Sequence, residues 1–363
     1  MHIAIDGREL VSRPTGVGRY LSCLIDQWDT LAAARAHRFT LFAHGPMSLP
    51  ETGLDVRSVV LPGAGGTRWE QATLAAALRQ HAPDVLFAPA YTAPLLASVP
   101  VALVVHDVSF YAHPEWFSWR EGQRRRLVTR AATRRARIVL TVSNFSRDEI
   151  VRHLGVEPSR IRVIPHGLGL SDDHESSRST DRARPPLVLF VGSVLNRRHV
   201  DALVRAMPAV LQRVPGARLA IVGDNRTWPR LDPAGLADDL GVSSQVTVTA
   251  FVDDVRLRAL YAEASAFAFL SEYEGFGLTP LEAIAAGVPP VVLDTAVARE
   301  VYGGAAAYVA APDPGLVAEA LTAMLTDRDQ RERLLGAAPA VLARYHWADA
   351  AAATLRAIED AAT

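Results

Sequence analysis

Residues 271–282 (SEYEGFGLTPLE) place two carboxylates, Glu274 and Glu282, eight positions apart around two glycines. An apolar run precedes the segment and a helical pattern follows it. Gly275 and Gly277 let a ligand approach the backbone closely and adopt conformations denied to other residues. The first amides of a helix lack intrahelical partners, and the dipole there favours an anion, so a phosphate suits the place. Two plainer readings stand beside this one. The glycines equally serve an ordinary strand-to-helix turn, and a carboxylate such as Glu282 is favoured near a helix start by the dipole alone.

Three further segments carry candidate chemistry. Residues 191–199 (VGSVLNRRH) put Arg197 and Arg198 in a loop between a strand and a helix. Guanidinium forks match phosphate oxygens, and two together can neutralise a diphosphate, although a solvated surface pair has the same sequence. Residues 13–20 (RPTGVGRY) open a helix with Gly16 and Gly18; this is either a close-approach loop or a bland one. Residues 105–109 (VHDVS) bring His106 and Asp107 to a strand end, where they can touch a reacting group or serve the core. From Arg120 to Arg137 there are eight arginines, with Trp116, Phe117 and Trp119 just ahead. Such a helix can rest on an anionic membrane or simply be solvated.

The elements that must position these residues alternate in type. Strands are predicted at 2–5, 39–43, 56–60, 84–87, 101–105, 138–142 and 161–164, then at 187–191, 218–222, 246–249, 266–270, 290–293 and 307–309. Helices are predicted at 17–34, 69–81, 117–135, 144–154, 200–214, 257–264, 277–286, 316–326, 331–342 and 347–361. This alternation indicates α/β architecture: two Rossmann-like, doubly wound parallel-sheet domains facing a central cleft. The expected boundaries are 1–170 for a first domain, 171–186 for a polar linker, 187–345 for a second domain, and 346–363 for a helix returning to the first domain.

Composition narrows the function. The 363 residues carry 38 basic groups, all arginine, and 39 acidic ones, for a net charge of -1. That balance argues against nucleic acid as a partner. The single cysteine, Cys23, can form neither an internal disulfide nor a thiolate cluster. The D-x-D string 327–329 falls between C-terminal helices and reads as surface charge, so no metal site is expected. No apolar run nears the ~20 residues of a membrane span, and the N-terminus resembles no signal peptide. A cytoplasmic location is expected, at most peripheral to the inner face of a membrane.

Taken together, the segments resemble the family-4 retaining glycosyltransferases of GT-B fold. EGFGLTPLE at 274–282 resembles that family's E-x7-E signature, and Arg197-Arg198-His199 its Arg-Lys-Asn loop. IAIDGREL at 3–10 and TGVGRY at 15–20 look like the opening of its mannosyltransferase-like members. HDVSF at 106–110, HPEWF at 113–117, TVSNFS at 141–146, VIPHG at 163–167 and IVGD at 221–224 follow in the expected order.

The resemblance implies a nucleotide-sugar donor, GDP-mannose first and UDP-sugars next, and a glycan or lipid-linked saccharide acceptor, with no cofactor. It gives Arg197 and Arg198 the diphosphate and Glu282 the ribose. Glu274, with the backbone of Gly275, Phe276, Gly277 and Leu278, holds the sugar and the distal phosphate. His106 lies near the reacting carbon beside Asp107, Gly16 and Gly18 meet the donor from the first lobe, and Val252 lines the base. Two departures stand out: Arg198 replaces the family's usual lysine, and Ser193 stands where some members have a second cation. A nucleotide-sugar epimerase and a silent nucleotide-sugar-binding partner share this pattern. A phosphorylase would need an anchoring lysine, which the sequence lacks.

Overall fold

A computed structural model describes residues 1–11, 16–168 and 185–363. The chain divides into two units, one of Met1–Gly167 with Tyr345–Thr363 and one of Leu168–Arg344. Most of the expected linker, and Arg13, Pro14 and Thr15 of the first glycine loop, lie outside the described residues.

The first unit is built on seven parallel strands: β1 (His2–Asp6), β2 (Arg38–Ala43), β3 (Asp55–Val60), β4 (Val85–Ala88), β5 (Val101–Val104), β6 (Ile138–Thr141) and β7 (Ile161–Val163), in the order β3-β2-β1-β4-β5-β6-β7. Successive side chains on a strand point to opposite faces, and the sequence supplies apolar residues for both. Ile3, Ile5, Phe39, Leu41 and Phe87 pack on one side with the Val17–Thr30 helix and with Trp347, Leu355 and Ile358 of the last helix. Ala4, Phe42, Leu86 and Leu103 pack on the other with Trp69, Leu78 and Ile150.

The last helix, Trp347–Ala362, is part of this core. Trp28, fully buried and stacked on Phe39, donates its indole N–H to the carbonyl of Ala351 at 2.9 Å. His37 and Glu359 pair at 2.9 Å. Gly167 passes so close to Trp347 that a Cβ there would collide with its backbone.

The second unit repeats the plan with six parallel strands: β8 (Leu187–Val191), β9 (Arg218–Val222), β10 (Val246–Thr249), β11 (Ala266–Phe269), β12 (Pro290–Leu293) and β13 (Ala307–Val309). Their order is β10-β9-β8-β11-β12-β13. Every residue of β8, β11 and β12 is buried. The Val200–Arg213 helix turns Val200, Leu203, Val204, Met207 and Val210 inward and packs on the Pro314–Thr326 helix. Both units are therefore doubly wound sheets that start in the middle, the order that leaves a crevice at the carboxyl ends where the strand sequence reverses. Among the described residues no helix is long and apolar enough to cross a membrane.

The structure departs from the sequence expectations at several element ends. The helix expected over 17–34 stops at Thr30, where Leu31 turns extended and a short 3-10 turn follows at Ala34–Ala36. The helix expected over 69–81 is a π-turn, Trp69–Leu74, running into an α-helix, Ala75–His81. The helix expected over 331–342 is two, Arg328–Gly336 and Ala338–Leu342. Pro339 sits in the first turn of the latter, where its missing N–H costs nothing. Asp327 of the D-x-D string caps the former by accepting from the Gln330 amide at 2.9 Å. Among the described residues four short helices were not expected: Gly66–Arg68, Ser109–Ala112, Pro233–Asp239 capped by Asp232 and Ala296–Tyr302 capped by Thr295.

Trp28→Ala should destabilise the first unit by about 3–5 kcal/mol, the usual cost of emptying a buried aromatic site. Urea unfolding should show a lowered midpoint at an unchanged slope. An unshifted midpoint would mean that the last helix is not held through this residue.

Candidate functional site

β8 and β11 are neighbours, with Val188 opposite Ala266 and Leu189 opposite Phe267. They are also the pair at which the strand order reverses, so the loops leaving their carboxyl ends meet. From the first loop come Gly192, Ser193, Arg197 and Arg198, and from the second Ser271, Glu274 and the Gly275–Gly277 turn. Arg198 Nε donates to Glu274 Oε1 at 2.8 Å, and Arg197 Nη2 lies 3.6 Å from Glu274 Oε2. Ser271 Oγ donates to the same Oε1 at 2.9 Å. The Glu272 amide donates to the carbonyl of Arg197 at 3.0 Å, which ties the loops through backbone as well.

Arg198 is fixed on three sides. Its Nη1 donates to the Ser193 carbonyl at 3.0 Å, and its guanidinium lies over the Phe269 ring, 4.9 Å from the centroid. Gly192, at φ +139°, makes room: a Cβ there would come within 2.7 Å of Nη1. On the other side, Gly277 takes φ +87° at the start of the Leu278–Ala285 helix, which no side chain caps. Tyr302 donates to the Gly277 carbonyl at 3.0 Å and occupies the space a Cβ would need. The turn thus requires glycine for both its dihedral angle and its packing.

Burial by itself would raise the Glu274 pKa. The charges of Arg198 and Arg197, with the hydrogen bonds from Arg198 and Ser271, overcome that and hold it at about 2. Glu274 is therefore a permanent anion at neutral pH. It answers both guanidiniums beside the helix start. Glu282 lies within the helix, 4% exposed, and accepts from Tyr261 Oη at 3.0 Å. Val252 is half-buried in the segment after β10.

The first unit holds the other expected residues. Gly16 precedes the Val17–Thr30 helix at φ +51°, and Gly18 is buried in its first turn. His106 and Asp107 follow β5. The His106 ring is 9% exposed, and its Nε2 lies 2.9 Å from the Pro89 carbonyl, which can only accept. The proton is therefore on Nε2. Burial lowers the His106 pKa against the pull of that carbonyl and Asp107, so the ring is neutral at pH 7. Asp107 accepts from Tyr91 Oη at 3.0 Å and from the Ser109 amide at 2.8 Å.

Sequence reasoning missed a charged network at the end of β1. Arg8 donates to Asp6 Oδ2 at 2.7 Å and to Glu70 Oε1 at 2.8 Å, and Thr92 donates to Glu70 Oε1 at 2.6 Å. Asp6 and Glu70 are 3% and 1% exposed. The π-turn that carries Glu70 left no separate trace in the sequence pattern. In the second unit the missed positioning residues are Gly192, Phe269, Ser271 and Tyr302. The first three stand in or beside the strings already singled out, whereas nothing in the sequence points to Tyr302.

Glu274→Gln should destabilise the protein at neutral pH by about 3–5 kcal/mol, because two partly buried guanidiniums lose their counter-charge. A carboxylate with a depressed folded-state pKa stabilises above its unfolded value of 4.5, and that stabilisation is lost as pH falls toward about 2. The gap between wild type and variant should hold steady down to about pH 5 and close below it. Equal stability at pH 7 would show that the pairing contributes nothing.

Residues 14–172 match the family model described as Glycosyltransferase Family 4, and residues 172–340 match Glycosyl transferases group 1. The D-inositol 3-phosphate glycosyltransferase of Xylanimonas cellulosilytica is 33% identical over 227 residues, 57% of this chain and 53% of that protein. The O-antigen chain mannosyltransferase B of Escherichia coli is 26% identical over 262 residues, 69% of this chain and 68% of that one. The chain spans about half the length of the inositol-phosphate relatives it matches. Among solved structures, Anabaena Alr3699/HepE in complex with UDP and glucose shares the fold at a TM-score of 0.72, with 20% identity over 99% of both chains. With its two family models meeting at residue 172 and a six- or seven-stranded Rossmann-like sheet in each unit, the chain belongs to the family-4 glycosyltransferases of GT-B fold.

Proposed function

We propose that the chain transfers a sugar from a nucleoside diphosphate to an acceptor hydroxyl, with retention at the anomeric carbon and without a metal or other cofactor. The observation that carries this reading is the convergence of Arg197 and Arg198 on Glu274, beside the uncapped helix start at Gly277. Cleaving the bond from the anomeric carbon to the diphosphate oxygen builds positive charge on the sugar and negative charge on the leaving group. Fixed guanidiniums and helix amides stabilise that negative charge without reorganising, which is where enzymes gain most.

Glu274 holds the arginines in place and, with the Gly275–Leu278 backbone, faces the sugar and distal phosphate. Glu282 takes the ribose, Val252 borders the base, and Gly16 and Gly18 admit the donor from the first unit. The acceptor attacks from the face the diphosphate leaves, through an ion-pair-like state, and a diphosphate oxygen takes its proton. His106, neutral with its proton committed to Pro89, lies by the sugar as a polar contact rather than a base.

GDP-mannose is the first donor to test, in keeping with the name of the Escherichia coli relative. UDP-glucose is second, since Anabaena HepE is solved with UDP and glucose. A glycan or lipid-linked saccharide is the acceptor, met in the cytoplasm or at the inner face of the membrane. Support for the membrane comes from the Trp119–Arg135 helix, which exposes Trp119 and Leu127 along a stripe with Arg120, Arg124, Arg130 and Arg134.

Incubation with each nucleotide sugar and a panel of lipid-linked and soluble saccharides should release nucleoside diphosphate and yield a glycosylated product in excess chelator. Arg198→Ala should lower turnover at least ~100-fold, the scale of losing one transition-state donor. Loss of activity on chelation that magnesium restores would overturn the metal-free mechanism, and near-normal turnover in the variant would remove Arg198 from it. On anionic vesicles the protein should float in low salt and be released by high salt, less so after Trp119→Ala. Indifference to anionic lipid would leave the stripe merely solvated.

A further inference from the structure

Three arginines gather at the other end of the first sheet, away from the carboxyl ends of its strands. Pro100 immediately precedes β5, Arg137 precedes β6 and Arg160 precedes β7. With Arg135 and Ala136 they line one hollow of about 490 Å³. Arg135 and Arg137 are exposed, and no carboxylate among the described residues pairs with them or with Arg160.

Part of this charge has a local explanation. The Trp119–Arg135 helix ends here, and Arg160 Nη2 donates to the carbonyls of Thr133, at 2.9 Å, and Ala136. A helix C-terminus carries roughly half a negative charge. Three guanidiniums exceed that severalfold, and the side chains of Arg135 and Arg137, unlike the Arg137 amide that donates to Val101, have no hydrogen-bonded partner among the described residues. Like charges around one concavity repel, and the arrangement becomes favourable when an anion enters to share their N–H groups. Guanidinium geometry selects oxygens spaced as in a phosphate.

We propose that this hollow is an anion site for a phosphate-bearing group, distinct from the loop of Arg197 and Arg198. Arg135 and Arg137 grip the phosphate oxygens, and Arg160, tied to the helix end, closes the third side.

The test counts inorganic pyrophosphate bound at equilibrium by the full chain in low salt. Arg135→Gln combined with Arg137→Gln should bind one equivalent fewer than the wild type. The subtraction holds whether or not the second unit takes pyrophosphate, so failure here and failure of the proposed donor site are told apart. The paired Arg135→Lys and Arg137→Lys protein should keep the equivalent. If the double glutamine protein has lost its circular-dichroism spectrum, Arg137→Gln alone is read instead, with that equivalent weakened at least tenfold. The same number bound at the same affinity in the glutamine variant overturns the proposal.

Vesicles of phosphatidylglycerol then identify the source of the phosphate. Co-sedimentation lost in the glutamine variant assigns the site to a lipid headgroup. Co-sedimentation unchanged, with the pyrophosphate equivalent lost, assigns it to a soluble phosphate compound.

Discussion

The second unit depends on where its sheet begins. β8 is laid down in the middle, two strands are added on one side, and the chain returns to add β11 on the other. Parallel crossovers are right-handed, so the connections leaving β8 and β11 depart to opposite faces and their carboxyl ends stay uncovered. Any residue a few positions beyond either strand is directed into the same notch. Arg198 and Glu274, 76 residues apart in sequence, are thereby brought within 2.8 Å. No other neighbouring pair in this sheet reverses order. A charged pair of this kind is sustained because each charge is answered: Glu274 by two guanidiniums and a hydroxyl, and Arg198 by a carboxylate, a carbonyl and an aromatic face.

The fold was legible because burial on both faces leaves a plain mark. The thirteen strands among the described residues were visible as short apolar runs between turn residues, and β8, β9, β10, β12 and β13 fall at their expected bounds. What failed were elements whose identity rests on backbone pairing rather than on pattern. Residues 69–81 carry an apolar period that fits an α-helix and a π-turn equally, since one inserted residue shifts the period only slightly. The helices Pro233–Asp239 and Ala296–Tyr302 are each seven residues long, too short to display two turns of amphipathic pattern. Their capping residues, Asp232 and Thr295, were the available signal.

The site was legible as residue types but not as a set of bonds. Adjacent arginines and a glycine-rich turn are local features, so Arg197, Arg198, Gly275 and Gly277 could be singled out one segment at a time. That Glu274 answers the arginines is a fact of tertiary register, and sequence reasoning had assigned them separate duties. The Arg8 network was hidden for the same reason: Asp6 and Arg8 are near in sequence, but Glu70 and Thr92 join them only through the π-turn and the loop after β4.

The surroundings of Arg198 suit a guanidinium rather than an ammonium. A lysine ammonium at this position could meet Glu274, but it is a compact point charge on a flexible stem. It could not donate to Glu274 and the Ser193 carbonyl from opposite edges of one rigid plane while laying that plane on Phe269. The surroundings fit the guanidinium: Gly192 leaves the clearance that Nη1 fills, and Phe269, at the end of a wholly buried strand, supplies the surface beneath it. With Nε and Nη1 committed in this way, Nη2 is the edge left uncommitted. Arg198 is thus one member of an interlocked set with Gly192, Phe269 and Glu274, and the loss of any of the four would be felt as a change in where that remaining edge points.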